Sequence, residues 1–151
     1  MDTLPHPTSA EISTIAHATE DIDKVTQAIK GVCPTALRVN IVLRKTSMTG
    51  HHKNPITSLT AKISDSKATE QILENIAANL TPLDKSTLGV EIEDCIDSKG
   101  NLYLRFDKQA AYFGNLRLRQ DDPIRLRVRF LGRPFNLESI GQYCRKVGLV
   151  E

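Results

Sequence analysis

Apolar and polar residues alternate along this chain with two different periods, and the switches between them outline the elements. The clearest period of two is at residues 124–131. There Ile124, Leu126, Val128 and Phe130 fall on one face and Arg125, Arg127 and Arg129 on the other, as in a half-buried strand. Leu102, Leu104 and Phe106 alternate in the same way after the turn Ser98-Lys99-Gly100-Asn101. Residues 38–46 alternate too, with Val39, Ile41 and Leu43 opposed to Arg38, Asn40 and Arg44. Residues 56–64 place Leu59, Ala61 and Ile63 on one face, and residues 47–55, with Gly50, two histidines and Pro55, read as the loop of a long hairpin. Residues 11–18 form a strand with softer alternation.

Helical spacing fills the gaps. Ile22, Val25, Ala28 and Ile29 follow a hydroxyl cap at Thr19, with Glu20 and Asp21 in the first turn, and Gly31 and Pro34 end the run. Ala68, Ile72, Leu73, Ile76 and Leu80 form a stripe behind Asp65 or Ser66, and Thr81-Pro82 restarts a short helix. Asp107 opens two turns through Phe113, closed by Gly114. Asp121-Asp122-Pro123 makes a turn. Asn136 opens a last helix with Leu137, Ile140, Cys144 and Val147 on one stripe, ended by Gly148.

The resulting order is β-α-β-β-α-α-β-α-β-α. It predicts an α+β fold: a mostly antiparallel sheet with helices on one face and the other face left wet. Residues 8–151 are expected to form a single domain and residues 1–7, polar with two prolines, a frayed tail.

Composition narrows the class. Hydrophobic residues are 40% and charged residues 25% of the 151, ordinary for a folded chain able to bury a core without disulfides. No apolar run approaches a membrane span, and no signal-peptide pattern opens the chain. Cys33, Cys95 and Cys144 are odd in number and form no C-x-x-C pair. They read as small hydrophobes in a cytoplasmic protein.

The net charge of +2 hides an asymmetry. Between Arg105 and Arg133 stand eight basic residues against three acidic ones, so the remainder is net negative. A basic half is the footprint of a polyanionic partner. Arg125, Arg127 and Arg129 share one strand face, where their repulsion costs stability unless an anion lies across them. Arg117 and Arg119 repeat the spacing. Gly50, His51, His52, Lys53 and Asn54 form a loop able to contact phosphate and sugar. Arg105, Lys108, Gln109 and Tyr112 flank the Asp107 cap and offer further donors and a stacking surface. Walker, G-x-G-x-x-G, G-x-S-x-G and H-E-x-x-H motifs are missing. Adjacent histidines make a poor chelate. No catalytic residue, metal site or cofactor is expected.

Gly50-His51-His52-Lys53-Asn54-Pro55-Ile56-Thr57, followed by Leu102-Tyr103-Leu104-Arg105-Phe106-Asp107-Lys108-Gln109-Ala110-Ala111-Tyr112, resembles an archaeal family described as predicted exosome subunits or RNA-binding proteins. His17-Ala18-Thr19-Glu20-Asp21 and Phe135-Asn136-Leu137-Glu138-Ser139-Ile140 extend the resemblance over nearly the whole chain. It implies a fold similar to the fifth protein of the large ribosomal subunit, a homodimer, and RNA binding without catalysis as an accessory to an RNA-processing complex or the ribosome. In that family the loop often reads Gly-His-x-Gly-Asn-Pro-Ile. Here Lys53 replaces the second glycine, and a φ above zero would strain it. The competing expectation is a protein–protein adaptor whose basic strand docks an acidic partner.

Overall fold

The structure, a computed structural model, describes residues 5–49, 53–131 and 137–150. Five strands form one sheet in the order β2-β3-β1-β5-β4, every neighbouring pair antiparallel. They are β1 (His6–Ala16), β2 (Leu43–Thr49), β3 (Pro55–Ile63), β4 (Asn101–Phe106) and β5 (Ile124–Leu131). The helices are α1 (Ile22–Gly31), α2 (Thr35–Arg38), α3 (Ser66–Asn79), α4 (Pro82–Glu91), α5 (Lys108–Tyr112) and α6 (Leu137–Lys146), with a 3-10 turn at Ile92–Cys95.

The α+β class and the one-sided cover agree with the alternation. In β5 every second residue is buried and every other one exposed. Ile12, Leu59, Leu104, Leu126 and Val128 lie on the covered face, where they meet Ile29, Ile72, Leu73 and Ile76 of α1 and α3 in one cluster. That burial is the main favourable term in the fold. Gly31 lets α1 touch α5: a Cβ there would fall on the carbonyl oxygen of Ala111.

Several local expectations are corrected. Residues 38–42 are not strand. Pro34 caps α2 with ψ 150, and its missing N–H costs nothing at a helix start. Val39 is 86% exposed while Ile41 and Leu43 pack partly buried against the core, so the expected stripe holds only from Ile41 onward. β2 begins only at Leu43 and runs on to Thr49, which pairs with Pro55. The hairpin is therefore tighter than a loop over 47–55 implies. Asp21, not Thr19, caps α1, its carboxylate accepting from the Asp23 N–H at 2.9 Å. β1 starts at His6, so His6 and Pro7 belong to the sheet. Pro7 is tolerated because β3 pairs β1 only from Ala10 onward, and a register shift follows between Pro7 and Ser9. α5 ends at Tyr112, so Phe113 is its C-cap rather than its last residue, and Phe113 is 68% exposed. The Asn136 cap lies outside the described residues.

Candidate functional site

Pairing across antiparallel strands carries side chains to a common face, so the register maps the uncovered side of the sheet. One row crosses all five strands: Arg44, Thr60, Ser13, Arg125 and Arg105. Beside it run Lys62, Glu11, Arg127 and Tyr103, then Ser9, Arg129 and Asn101. An isolated bridge, Phe106 with Leu118, adds Arg119 beside Arg105. It is closed by the Arg119 N–H to the Arg105 carbonyl at 3.1 Å and the Asp107 N–H to the Arg117 carbonyl at 2.9 Å.

The five strands therefore collect Arg44, Lys62, Arg105, Arg125, Arg127 and Arg129 on one face, against Glu11 alone among acids. Arg105 and Arg125 sit directly opposite one another, a like-charge pair that costs stability. Glu11 offsets only Arg127, its carboxylate accepting from Nη2 at 2.9 Å. Arg105 donates to Gln120 at 3.1 Å. The guanidinium groups of Arg125 and Arg129 have no hydrogen-bond or ionic partner among the described residues. At one end Lys62, Lys99, Arg127 and Arg129 border a depression of about 330 Å³ with Ser9, Glu11 and Asn101.

Asp97 shapes that end. Burial works to raise its pKa, but donors outweigh it: the backbone and side chain of Asn101, the Lys99 N–H and the Tyr103 hydroxyl. Together they hold the carboxyl at about 2. The charged carboxylate orients the Tyr103 phenol at 3.0 Å on the open face.

The second basic group expected from sequence is placed elsewhere. Lys108 is only 11% exposed at its side chain, and its ammonium donates to the Ile15 carbonyl at 2.6 Å, to Glu20 at 3.1 Å and to Asp122 at 2.9 Å. His17 joins Asp122 at 3.0 Å. Burial opposes the charge on Asp122, yet the hydrogen bonds from Lys108 and His17 prevail and lower its pKa. His17, Glu20 and Asp122 bring three potential ligand atoms within 4.8 Å of one another, but the cation bound there is the Lys108 ammonium. Its donors are spent on joining the ends of β1 and α1 to the turn before β5, and none is left for an outside phosphate.

Gln109 and Tyr112 line a hollow between α1 and α5, and Gln109 also borders the groove that holds Arg117 and Arg119. Tyr112 packs edge-on against Phe113, ring centroids 5.0 Å apart, and against the core. Arg117 lines a groove with Asn79, Thr81 and Asn115 that Arg119 also borders. Lys53 has φ 62, the left-handed conformation that the glycine of the resembled loop suits. Gly50, His51 and His52 lie outside the described residues. Arg44 and Lys62, which the sequence reading did not group with the arginines, join them through register. Their only sequence signal was outward phase in their own strands. Burial pushes the Cys33 and Cys144 thiols up to about 12, and burial with the nearby Glu91 and Asp94 raises Cys95 as well.

Comparison with known proteins follows this geometry. Residues 9–130 match the family model described as RNA binding. The chain is 32% identical over 137 residues to the RNA-binding protein PAB1135 of Pyrococcus abyssi, with 89% of each chain covered. Protein AF2318 from Archaeglobus fulgidus superimposes with a TM-score of 0.78 at 27% identity, covering 93% of this chain and 99% of that one. Mth689 from Methanothermobacter thermautotrophicus gives 0.76 at 28% identity, with 97% and 99% covered. Among the described residues no helix is long and apolar enough to cross a membrane.

Proposed function

The chain belongs to the RNA-binding family, and on that premise we propose that it is a non-catalytic RNA-binding protein whose ligand lies on the open face of the sheet. One observation carries the reading: six cationic side chains share that face with a single carboxylate, and Arg125 and Arg129 are unpaired among the described residues. Such a face repels itself until polyphosphate neutralises it. Guanidinium groups chelate phosphate oxygens in a bidentate manner. The relative from Pyrococcus, itself named an RNA-binding protein, supports the same ligand.

In this reading the protein is a cytoplasmic homodimer acting as an accessory to RNA processing or to the ribosome. The resemblance to predicted exosome subunits supports that role, as it does a fold like that of the fifth protein of the large ribosomal subunit. Arg105, Arg119, Arg125, Arg127 and Arg129 contact phosphate, and Gly50, His51, His52, Lys53 and Asn54 supply further contacts to phosphate and sugar, as their sequence suggests.

The test is filter binding of a labelled RNA at several salt concentrations. Replacing Arg125 and Arg129 together by Gln weakens binding and flattens the salt slope by about 1.4, at roughly 0.7 per contact on single strands. A thermal melt of the same variant stays unchanged or rises. Equal affinity and equal slope for variant and parent would refute the reading. Equal competition by RNA and by polyglutamate would indicate an adaptor for an acidic protein instead.

A further inference from the structure

The open face has an order beyond its net charge, and we infer from it that the RNA recognised there is double-helical. This rests on the reading that the open face binds RNA. The cations form two groups. Arg105, Arg125, Arg127 and Arg129 occupy β4 and β5, while Arg44 and Lys62 occupy β2 and β3. Arg44 and Arg125 belong to one transverse row, separated by Thr60 and Ser13. Three inter-strand spacings put their backbones roughly 14 Å apart.

Between the groups the surface carries short hydroxyl side chains, beside Glu11 and the exposed Ile15 of β1. Ser13, Ser58 and Thr60 all face outward on β1 and β3, and none of these hydroxyls bonds to protein among the described residues. Two positive rails with a hydroxyl floor complement two phosphate backbones with a shallow groove between them. The A-form minor groove has that shape, and its 2′-hydroxyls are both donors and acceptors that Ser and Thr can meet.

A single unpaired strand is a poorer match. Proteins that hold splayed bases on a sheet do so with aromatic platforms. Among the described residues the open face offers only two separated rings, Tyr103, whose hydroxyl is held by Asp97, and His6 at the start of β1 opposite Leu131. A lone strand would also follow β5 and leave Arg44 without a phosphate. Glu11 sits between the rails and is neutralised by Arg127, so the floor carries no net charge.

The experiment compares a blunt RNA duplex, a DNA duplex of the same sequence and an unstructured uridine strand by fluorescence anisotropy across salt. The RNA duplex binds at least tenfold more tightly than the uridine strand, and more tightly than the DNA. Arg44→Gln weakens duplex binding several-fold and leaves strand binding within twofold. Ser13→Ala with Thr60→Val erodes the preference for RNA over DNA duplex without changing the salt slope, because no phosphate contact is lost. Uridine strand bound as tightly as duplex, or Arg44→Gln weakening both equally, overturns the duplex assignment while RNA binding stands. Absence of salt-dependent binding to either RNA overturns both.

Discussion

Arg125 and Lys108 come from the same basic stretch, and both are expected to meet phosphate on chemical grounds. The strand carries Arg125 onto an open face opposite Arg105, where no acid offsets it. The short helix α5 carries Lys108 into a corner where a carbonyl and two carboxylates already converge. The same charge is thus a liability for stability in one place and a structural tie in the other. The difference lies in which acceptors the backbone delivers, since the free energy of a cation is set by its partners and solvent rather than by its type.

Disturbing the α1–α5 corner should destabilise the protein, whereas altering the open face should change what it binds without loss of stability. The largest effect is expected from Gly31→Ala. Its methyl would meet the Ala111 carbonyl and force α5 off α1, at a cost of about 3 kcal/mol in a urea unfolding experiment. An unchanged midpoint would show that the α1–α5 contact is not rigid.

Lys108→Met comes next. It removes the tie and leaves Glu20 and Asp122 facing one another. Those carboxylates are 28% and 45% exposed, so water absorbs part of the loss and about 2 kcal/mol is expected. RNA affinity should hold within twofold at temperatures where the variant is folded. A large loss of affinity with an unchanged melt would move Lys108 into the interface and erase the contrast with Arg125.

Lys53→Gly relieves a left-handed lysine at φ 62 and should stabilise by about 1 kcal/mol, read as a raised midpoint. Destabilisation would mean that the Lys53 side chain makes contacts worth more than the strain.

The smallest effect separates two neighbours in the arginine row. Arg127 is bound to Glu11, while Arg125 is unpaired among the described residues. Arg127→Gln should therefore cost less RNA affinity than Arg125→Gln, by about 0.5 kcal/mol. The order is measured in parallel titrations at low salt, and a reversed order would mean that Glu11 releases Arg127 when RNA arrives.

Much of the architecture was legible because it rests on periodicity. The alternation of residues 124–131 agrees with β5 to the residue, and Asp65, Thr81 and Asp107 cap helices as their side chains imply. The errors fall where local signals compete. Val39, Ile41 and Leu43 alternate like a strand, but Pro34 starts a helical turn and Val39 remains exposed. His6 and Pro7 look like a tail, yet β5 offers them a pairing edge.

The sequence by itself determined the strand phases, and with them the outward placement of Arg125, Arg127 and Arg129, because side-chain direction in a strand depends only on position along it. The odd number and wide spacing of the cysteines also pointed to small buried or half-buried groups, and Cys33 and Cys144 are buried while Cys95 is partly so. Tertiary structure alone decided which outward positions share a row. Arg44 meets Arg125 and Arg105 only through the order β2-β3-β1-β5-β4, and nothing local encodes that order. It alone decided that Lys108 is enclosed, since Ile15 and Glu20 lie 93 and 88 residues before it in the chain and are brought to it only by the packing of β1 and α1 beside α5. Contacts between distant segments form only when the whole core closes, so the pattern of one segment cannot report them.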